Sequence, residues 1–244
     1  MWIRRSKHFD VFYKYIAGAI QGRREIYILL RKEKIDSLLL YHDLIFGIVT
    51  ALEARDEYTA SHSTRVSDMT EQICCLLELS QEEIETIHIA AHLHDIGKIG
   101  IEDRILRKYG SLDEEEWAQI KQHPVIGYEI LKKVERFEEI AVIVRHHHER
   151  WDGRGYPDGL EKEKIPFGSR IIAIADSIDA MMHDRQYRKG MSSDACRSEI
   201  ERNIASMYDP NLADFILRHW RILIKQDKVL EEDYSVESSF ELTI

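Results

Sequence analysis

The sequence predicts an all-α fold on three observations. Only four prolines interrupt 244 residues, apolar residues recur at three- and four-residue spacing, and the alternating pattern of a half-buried strand is scarce. Residues 11–52 read as one or two amphipathic helices, with Leu38, Leu39, Ile45, Val49 and Leu52 as apolar positions. Ser80-Gln81-Glu82-Glu83 has the capping-box pattern, in which a serine and the glutamate three residues on exchange side-chain hydrogen bonds with each other's backbone. It precedes Ile84, Ile87, Ala91 and His94, one helical face ending near Gly97. Ser111-Leu112-Asp113-Glu114 repeats the signal ahead of Trp117 and Ile120. Pro124 suits the first turn of a helix through Ile126, Ile130, Leu131 and Val134, and residues Phe137 to His148 read as another. Ser169 or Gly168 starts a helix holding Ile171, Ile174, Ile178 and Met181, and Asp209-Pro210 opens the last long one.

With 44% hydrophobic and 32% charged residues, the chain has ample apolar material for a core. Its longest apolar runs, such as Ile171–Ala175, fall well short of a membrane span, and Met1-Trp2-Ile3-Arg4-Arg5 lacks the apolar stretch of a signal peptide. The expectation is a soluble, cytoplasmic protein. Three cysteines without zinc-finger or redox spacing agree with a reducing compartment. A net charge of -10 argues against binding a nucleic-acid polymer, but not against a small phosphorylated ligand whose charge is met by metal ions.

The charge is uneven. Residues 1–34 carry nine Lys or Arg against three Asp or Glu, a net +6 that leaves -16 for the rest. The chain is therefore divided into a basic helical extension over 1–40, a main domain over 41–230 and an acidic tail over 231–244. The extension suits dimerisation, a junction to a further domain, or a membrane surface.

Twelve histidines are many for this length, and several stand beside carboxylates: His94-Asp95, His123, and His147-His148-Glu149. Asp176 interrupts an otherwise apolar helix, where a carboxylate costs several kcal/mol unless a cation or strong hydrogen bonds meet it. Mixed imidazole and carboxylate donors without thiolate suit iron, manganese or similar ions. Two such ions about 3.5 to 4 Å apart can hold a hydroxide and a phosphate oxygen together.

Taken in order, these residues belong to a longer set. It runs through Glu53-Ala54-Arg55-Asp56-Glu57-Tyr58-Thr59-Ala60-Ser61-His62, His92-Leu93-His94-Asp95-Ile96-Gly97-Lys98, His123-Pro124-Val125-Ile126-Gly127, His147-His148-Glu149-Arg150-Trp151-Asp152-Gly153-Arg154-Gly155-Tyr156-Pro157, Asp176-Ser177-Ile178-Asp179-Ala180-Met181 and Asp184-Arg185-Gln186-Tyr187-Arg188. From about Leu44 to Leu217 the chain resembles the HD-GYP subgroup of the HD phosphohydrolase superfamily.

The resemblance implies a helical bundle around two or three metal ions, iron or manganese, that hydrolyses cyclic di-GMP with a metal-bridged hydroxide. The product implied is linear pGpG, with further breakdown to GMP as the alternative. Position by position the ligands would be His62, His94, Asp95, His123, His147, His148 and Asp176, with Asp95 bridging. Lys98 would stabilise the phosphate and assist the departing ribose oxygen, which makes Asp95 and Lys98 the catalytic pair. Arg185 and Arg188 would grip phosphate or guanine. Tyr156 would stack or pack beside the site, while Glu149 and Asp152 would orient ligands or the turn. On a helix, neighbouring residues differ by about 100°, so three consecutive histidines cannot easily face one cluster. The register of the resemblance selects His147 and His148, immediately before Glu149, and leaves His146 as the spare.

Three departures matter. Members with a third metal use a glutamate at the position of Tyr58, which favours two metals here, although Glu53, Asp56 and Glu57 lie nearby. Residues 101–110 lack the prolines common in relatives, and Met182, His183 and Gln186 differ from expectation, which leaves another cyclic dinucleotide such as cyclic GMP-AMP as an alternative substrate. A phosphohydrolase of nucleoside triphosphates or alarmones, and a low-turnover nucleotide sensor or scaffold, are the competing functions. The partners implied are a second copy through the N-terminal helices and a regulatory or diguanylate cyclase-type protein.

Overall fold

The computed structural model describes residues 42–55, 61–184 and 189–237, with side chains to residue 224. The expected helices before residue 42, the segment 56–60, Arg185, Gln186, Arg188 and residues 238–244 lie outside the described residues. The chain divides into two compact units, Met1–Gly47 and Ile48–Ile244. Of the first, residues 42–47 are described and are helical. The second begins with helix α1 over 48–53 and continues with α2 (His62–Leu76), α3 (Gln81–Leu93), α4 (Asp103–Leu106), α5 (Glu114–Ile120) and α6 (His123–Leu131). It is completed by α7 (Glu138–Arg145), α8 (Phe167–Met182), α9 (Ser193–Arg202) and α10 (Pro210–Glu237). Among the described residues there is no strand, and one isolated bridge joins Ile204 to Tyr208, so the all-α expectation holds. No helix among them is long and apolar enough to cross a membrane.

Helix α8 is the axis of the second unit and packs on α2, α3, α7 and α9. Its Ile171, Ile172, Ile174 and Ile178 are fully buried, each worth about 1.5 to 3 kcal/mol in transfer free energy. Asp176 is thereby held on a rigid element rather than a loop. Cys74 and Cys196 are buried and Cys75 exposed, and none of the three is in a disulfide. Burial pushes the Cys74 thiol up to about 12.

The start signals resolve in detail. Ser80 and Glu83 form the reciprocal cap at α3, with Ser80 N–H donating to the Glu83 carboxylate at 2.9 Å and Glu83 N–H to Ser80 Oγ at 3.3 Å. At α5 the box is Asp113 with Glu116, not the Ser111 with Glu114 that the sequence suggests. A carboxylate accepts the N–H of the first turn as well as a hydroxyl does, and it sits two residues closer to Trp117 and Ile120. Pro166 precedes α8, which starts at Phe167 rather than at Gly168 or Ser169.

Helix α7 stops at Arg145, so the expected helix to His148 ends three residues early. The cause lies in the histidines. His146 Nδ1–H donates to Val142 O at 2.8 Å and His147 Nδ1–H to Val144 O at 2.6 Å, satisfying carbonyls that a continuing helix would have bonded through backbone N–H.

Candidate metal centre

Two trios of side chains converge between α2, α3, α6, the turn after α7, and α8. His62, His94 and Asp176 offer ligand atoms within 4.8 Å of one another, and so do His123, His147 and His148. Asp95 stands between them: Oδ2 lies 3.4 Å from His94 Nε2 and Oδ1 3.4 Å from His123 Nε2. The Lys98 ammonium is 2.7 Å from Asp95 Oδ2. All seven ligands expected from the sequence are therefore gathered in one place, although they span residues 62 to 176.

The aim of three rings follows from Nδ1. His94, His123 and His147 donate Nδ1–H to the carbonyls of Ala91 (2.7 Å), Ile120 (2.8 Å) and Val144 (2.6 Å). A carbonyl only accepts, so the ring proton sits on Nδ1 and Nε2 points into the cluster. Burial pushes the His123 imidazole down to about 3 and that of His147 well below its ordinary value, so both rings are neutral. Their Nε2 lone pairs face each other at 3.2 Å. Two acceptors that close repel unless a cation lies beside them, and that geometry fits a metal ion.

The carboxylates fit as well. Burial opposes the charge on Asp95 and Asp176, yet Lys98 with the surrounding histidines holds Asp95 far below the usual carboxylate range, and His62 does the same for Asp176. Burial likewise opposes a charged His62, but hydrogen bonds to Asp176 and Asp179 push it up to about 9. A divalent ion at His62 Nε2 would replace that proton before the same anion, Asp176 Oδ1, now 3.3 Å away.

Glycine makes the meeting of Asp95 and His123 possible. Asp95 precedes the 3₁₀ segment Ile96–Gly100, which packs on α6. A Cβ on Gly97 would lie 1.8 Å from the carbonyl oxygen of His123 and 2.6 Å from Gly127 N, so only glycine allows the two backbones to touch. Gly155 does the same for the turn, where a Cβ would fall 2.4 Å from Arg150 N.

The other expected residues fall into distinct places. Tyr156 stacks at 4.9 Å on the His148 ring, beneath the Lys121 ammonium at 5.6 Å. Glu149 is buried and takes Asp158 N–H (2.7 Å) and Gly159 N–H (3.0 Å) on one oxygen, so it braces the turn. Asp152 is gripped by Arg150 at 3.0 and 2.7 Å and caps Arg154 N–H, again within the turn. His146, the expected spare, points to Asp158 Oδ2 at 2.9 Å and belongs to neither trio. Arg185 and Arg188 lie in the segment outside the described residues. Glu53 caps the start of α2, accepting from Ser61 N (3.1 Å) and Ser63 N (3.0 Å).

One residue without an assigned role stands out. Asp179 is buried and accepts from His62 Nδ1 at 2.6 Å, Arg65 Nε at 2.6 Å and His183 Nδ1 at 2.9 Å. The signal was available: a second acid three residues after Asp176, on the same face of an apolar helix.

A family model described as "HD domain" matches residues 48–212. The chain belongs to the HD-domain family. Among its HD-domain relatives are the cyclic di-GMP phosphodiesterase response regulator RpfG of Xanthomonas campestris, 42% identical over 173 residues, and the 3'3'-cGAMP-specific phosphodiesterase 2 of Vibrio cholerae, 37% identical over 180. These alignments cover 70% and 73% of this chain but 46% and 34% of the relatives, so the chain spans less than half the length of either. The crystal structure of a cyclic GMP-AMP-specific phosphodiesterase of V. cholerae superposes with a TM-score of 0.58 over 77% of this chain and 49% of that one. At 20% identity that likeness speaks for a shared HD fold.

Proposed function

We propose that this chain is the hydrolytic module of a cyclic dinucleotide phosphodiesterase, opening cyclic di-GMP to linear pGpG. The reading rests above all on Asp95, whose two oxygens each face a histidine of a different trio. A carboxylate so placed could be shared by a pair of divalent ions. His62, His94 and Asp176 would hold one ion and His123, His147 and His148 the other, with Asp95 shared; the donor set suits iron or manganese. When bound, such ions supply Lewis-acid neutralisation of phosphoryl oxygens and lower the pKa of a water toward neutrality.

The chain's own residues account for the rest. Lys98, beside Asp95, is placed to donate to a phosphate oxygen or to the ribose oxygen as it departs. Hydrolysis adds the water oxygen to phosphorus and breaks one P–O bond to ribose, whose oxygen takes the remaining proton. Cleaving one of the two diesters leaves a linear dinucleotide. Tyr156, tilted over His148, offers a flat wall beside the reacting group, and Arg185 and Arg188 would grip phosphate or guanine. Two ions and arrest at the dinucleotide are favoured, since Tyr58 replaces a ligand glutamate and the Glu53 carboxylate already caps α2.

A relative specific for 3'3'-cGAMP supports a second substrate within the same chemistry. The test is a chromatographic assay of manganese- or iron-loaded protein on cyclic di-GMP and 3'3'-cGAMP side by side, with Asp95→Ala as control. Metal-loaded protein that leaves every cyclic dinucleotide intact refutes the reading.

A further inference from the structure

Four of the five histidines of the centre are aimed in one of two ways. His94, His123 and His147 each lie three residues beyond a carbonyl at the C-terminal end of a helix: Ala91 of α3, Ile120 of α5 and Val144 of α7. The last carbonyls of a helix lack intrahelical partners, so a ring N–H there meets an acceptor supplied by the backbone. Among these four His62, the first residue of α2, is the exception: its Nδ1 meets a side-chain carboxylate. His123 also opens a helix, α6, yet its ring keeps a main-chain acceptor in Ile120 O, so a side-chain partner is particular to His62.

Asp179 is that side chain. It lies three residues after Asp176 on α8, so one helix face carries both acids: Asp176 Oδ1 meets His62 Nε2 at 3.3 Å and Asp179 Oδ2 meets Nδ1 at 2.6 Å. The imidazole is thus spanned by two carboxylates from one rigid helix. Asp179 is fixed in turn. Arg65, one turn beyond His62 on α2, donates from Nε at 2.6 Å and Nη2 at 3.1 Å, and His183 closes on Oδ1 at 2.9 Å. With Asp179 2% exposed, these donors and His62 compensate its burial.

Resting on the metal assignment above, we propose that Asp179 is a positioning residue for His62, and that it makes the two metal positions inequivalent. The position built on His62, His94 and Asp176 depends on a carboxylate–imidazole pair, which raises the donor strength of His62 and fixes its tautomer. The position built on His123, His147 and His148 has two rings aimed by the main chain. Loss of the Asp179 charge therefore weakens one metal position and spares the other.

The experiment is a calorimetric titration of chelator-stripped protein with Mn²⁺, comparing wild type, His62→Ala and Asp179→Asn, with helicity followed by circular dichroism. Wild type binds two equivalents and His62→Ala loses one. Asp179→Asn binds one equivalent as wild type does and the other about 10- to 100-fold more weakly, the range for residues that orient a metal ligand. If wild type binds no Mn²⁺, the metal assignment itself fails. If wild type binds two and His62→Ala loses one, but Asp179→Asn matches wild type, the positioning role alone is overturned. Equal weakening of both equivalents in folded Asp179→Asn overturns the inequivalence. Should Asp179→Asn not fold, Arg65→Gln keeps the acid and removes one of its donors; selective weakening of the same equivalent supports the proposal, and unchanged binding overturns it.

Discussion

Substitution of Gly97 by alanine asks how closely the centre depends on backbone contact. The added methyl carbon would stand 1.8 Å from the His123 carbonyl oxygen and 2.8 Å from its carbon, and neither is the movable tip of a side chain. Ordinary contact begins near 3.4 Å, so the segment carrying Asp95 and Lys98 must withdraw from α6 by about 1.6 Å. Asp95 Oδ1, now 3.4 Å from His123 Nε2, would no longer face both trios. Overpacking of this kind costs about 1 to 3 kcal/mol. For a domain of this size that lowers Tm by about 2 to 12 °C. A displacement above 1 Å costs turnover of the order of 100-fold. Gly127→Ala is the internal control, since its methyl meets Val144 Cγ1 at 3.1 Å and Ile96 Cγ2 at 3.3 Å, side chains that can give a few tenths of an ångström. The measurements are thermal unfolding by circular dichroism, Mn²⁺ stoichiometry and turnover of cyclic di-GMP. A Gly97→Ala protein with wild-type Tm and metal content, or one milder than Gly127→Ala, would refute the reasoning.

His146→Ala removes a ring bonded to Val142 O and Asp158 and is expected to cost about 1 kcal/mol per lost hydrogen bond, yet to keep full metal content; loss of an equivalent by elemental analysis would count against the assignment. Mn²⁺ at about 100 times its Kd should stabilise the chelator-treated protein by about 2.7 kcal/mol, a rise of about 5 to 11 °C. A Tm indifferent to both chelator and Mn²⁺ contradicts a cation-binding cluster. Arg145 and Arg150 hold the Asp158 and Asp152 carboxyls at about 2, so their contribution to the turn is complete above the ordinary carboxylate value and is lost as pH falls through about 4 to 2. Amide exchange over residues 152–159 should quicken across that window in wild type and not in an Asp152→Asn, Asp158→Asn double variant; equal acid sensitivity in both would exclude these clamps as the cause.

Much of the centre was legible because its chemistry is local in sequence. His94-Asp95 and His147-His148 are written as neighbours, and Asp176 is conspicuous as an acid among Ile171, Ile172, Ile174 and Ile178. The helices were legible where a capping side chain announces them, as at Ser80 and Glu83. What escaped depends on partners distant in the chain. Glu53 reads as a metal candidate until Ser61 and Ser63 place their N–H groups on it. Asp152 and Glu149 read equally as braces for ligands or for the turn, and only the positions of Arg150, Asp158 and Gly159 decide for the turn. Asp179 is marked in the sequence only as a second acid on the face of Asp176, and its role comes from a residue 117 positions earlier. The early stop of α7 escaped because hydrophobic period alone does not record a side chain competing for a helix's final carbonyls.

The carbonyls that aim His94, His123 and His147 bear on how these sites tolerate mutation. A carbonyl is common to every amino acid, so Ala91, Ile120 and Val144 can change identity without altering what they present to the rings, provided the helix ends stay in register. Their side chains answer only to packing. His62 has no such insurance, because its aim is encoded in one codon at Asp179. In a deep mutational scan read by metal occupancy, tolerance should therefore be broad at half-buried position 120, extend to apolar residues of similar size at the fully buried positions 91 and 144, and be narrow at 179.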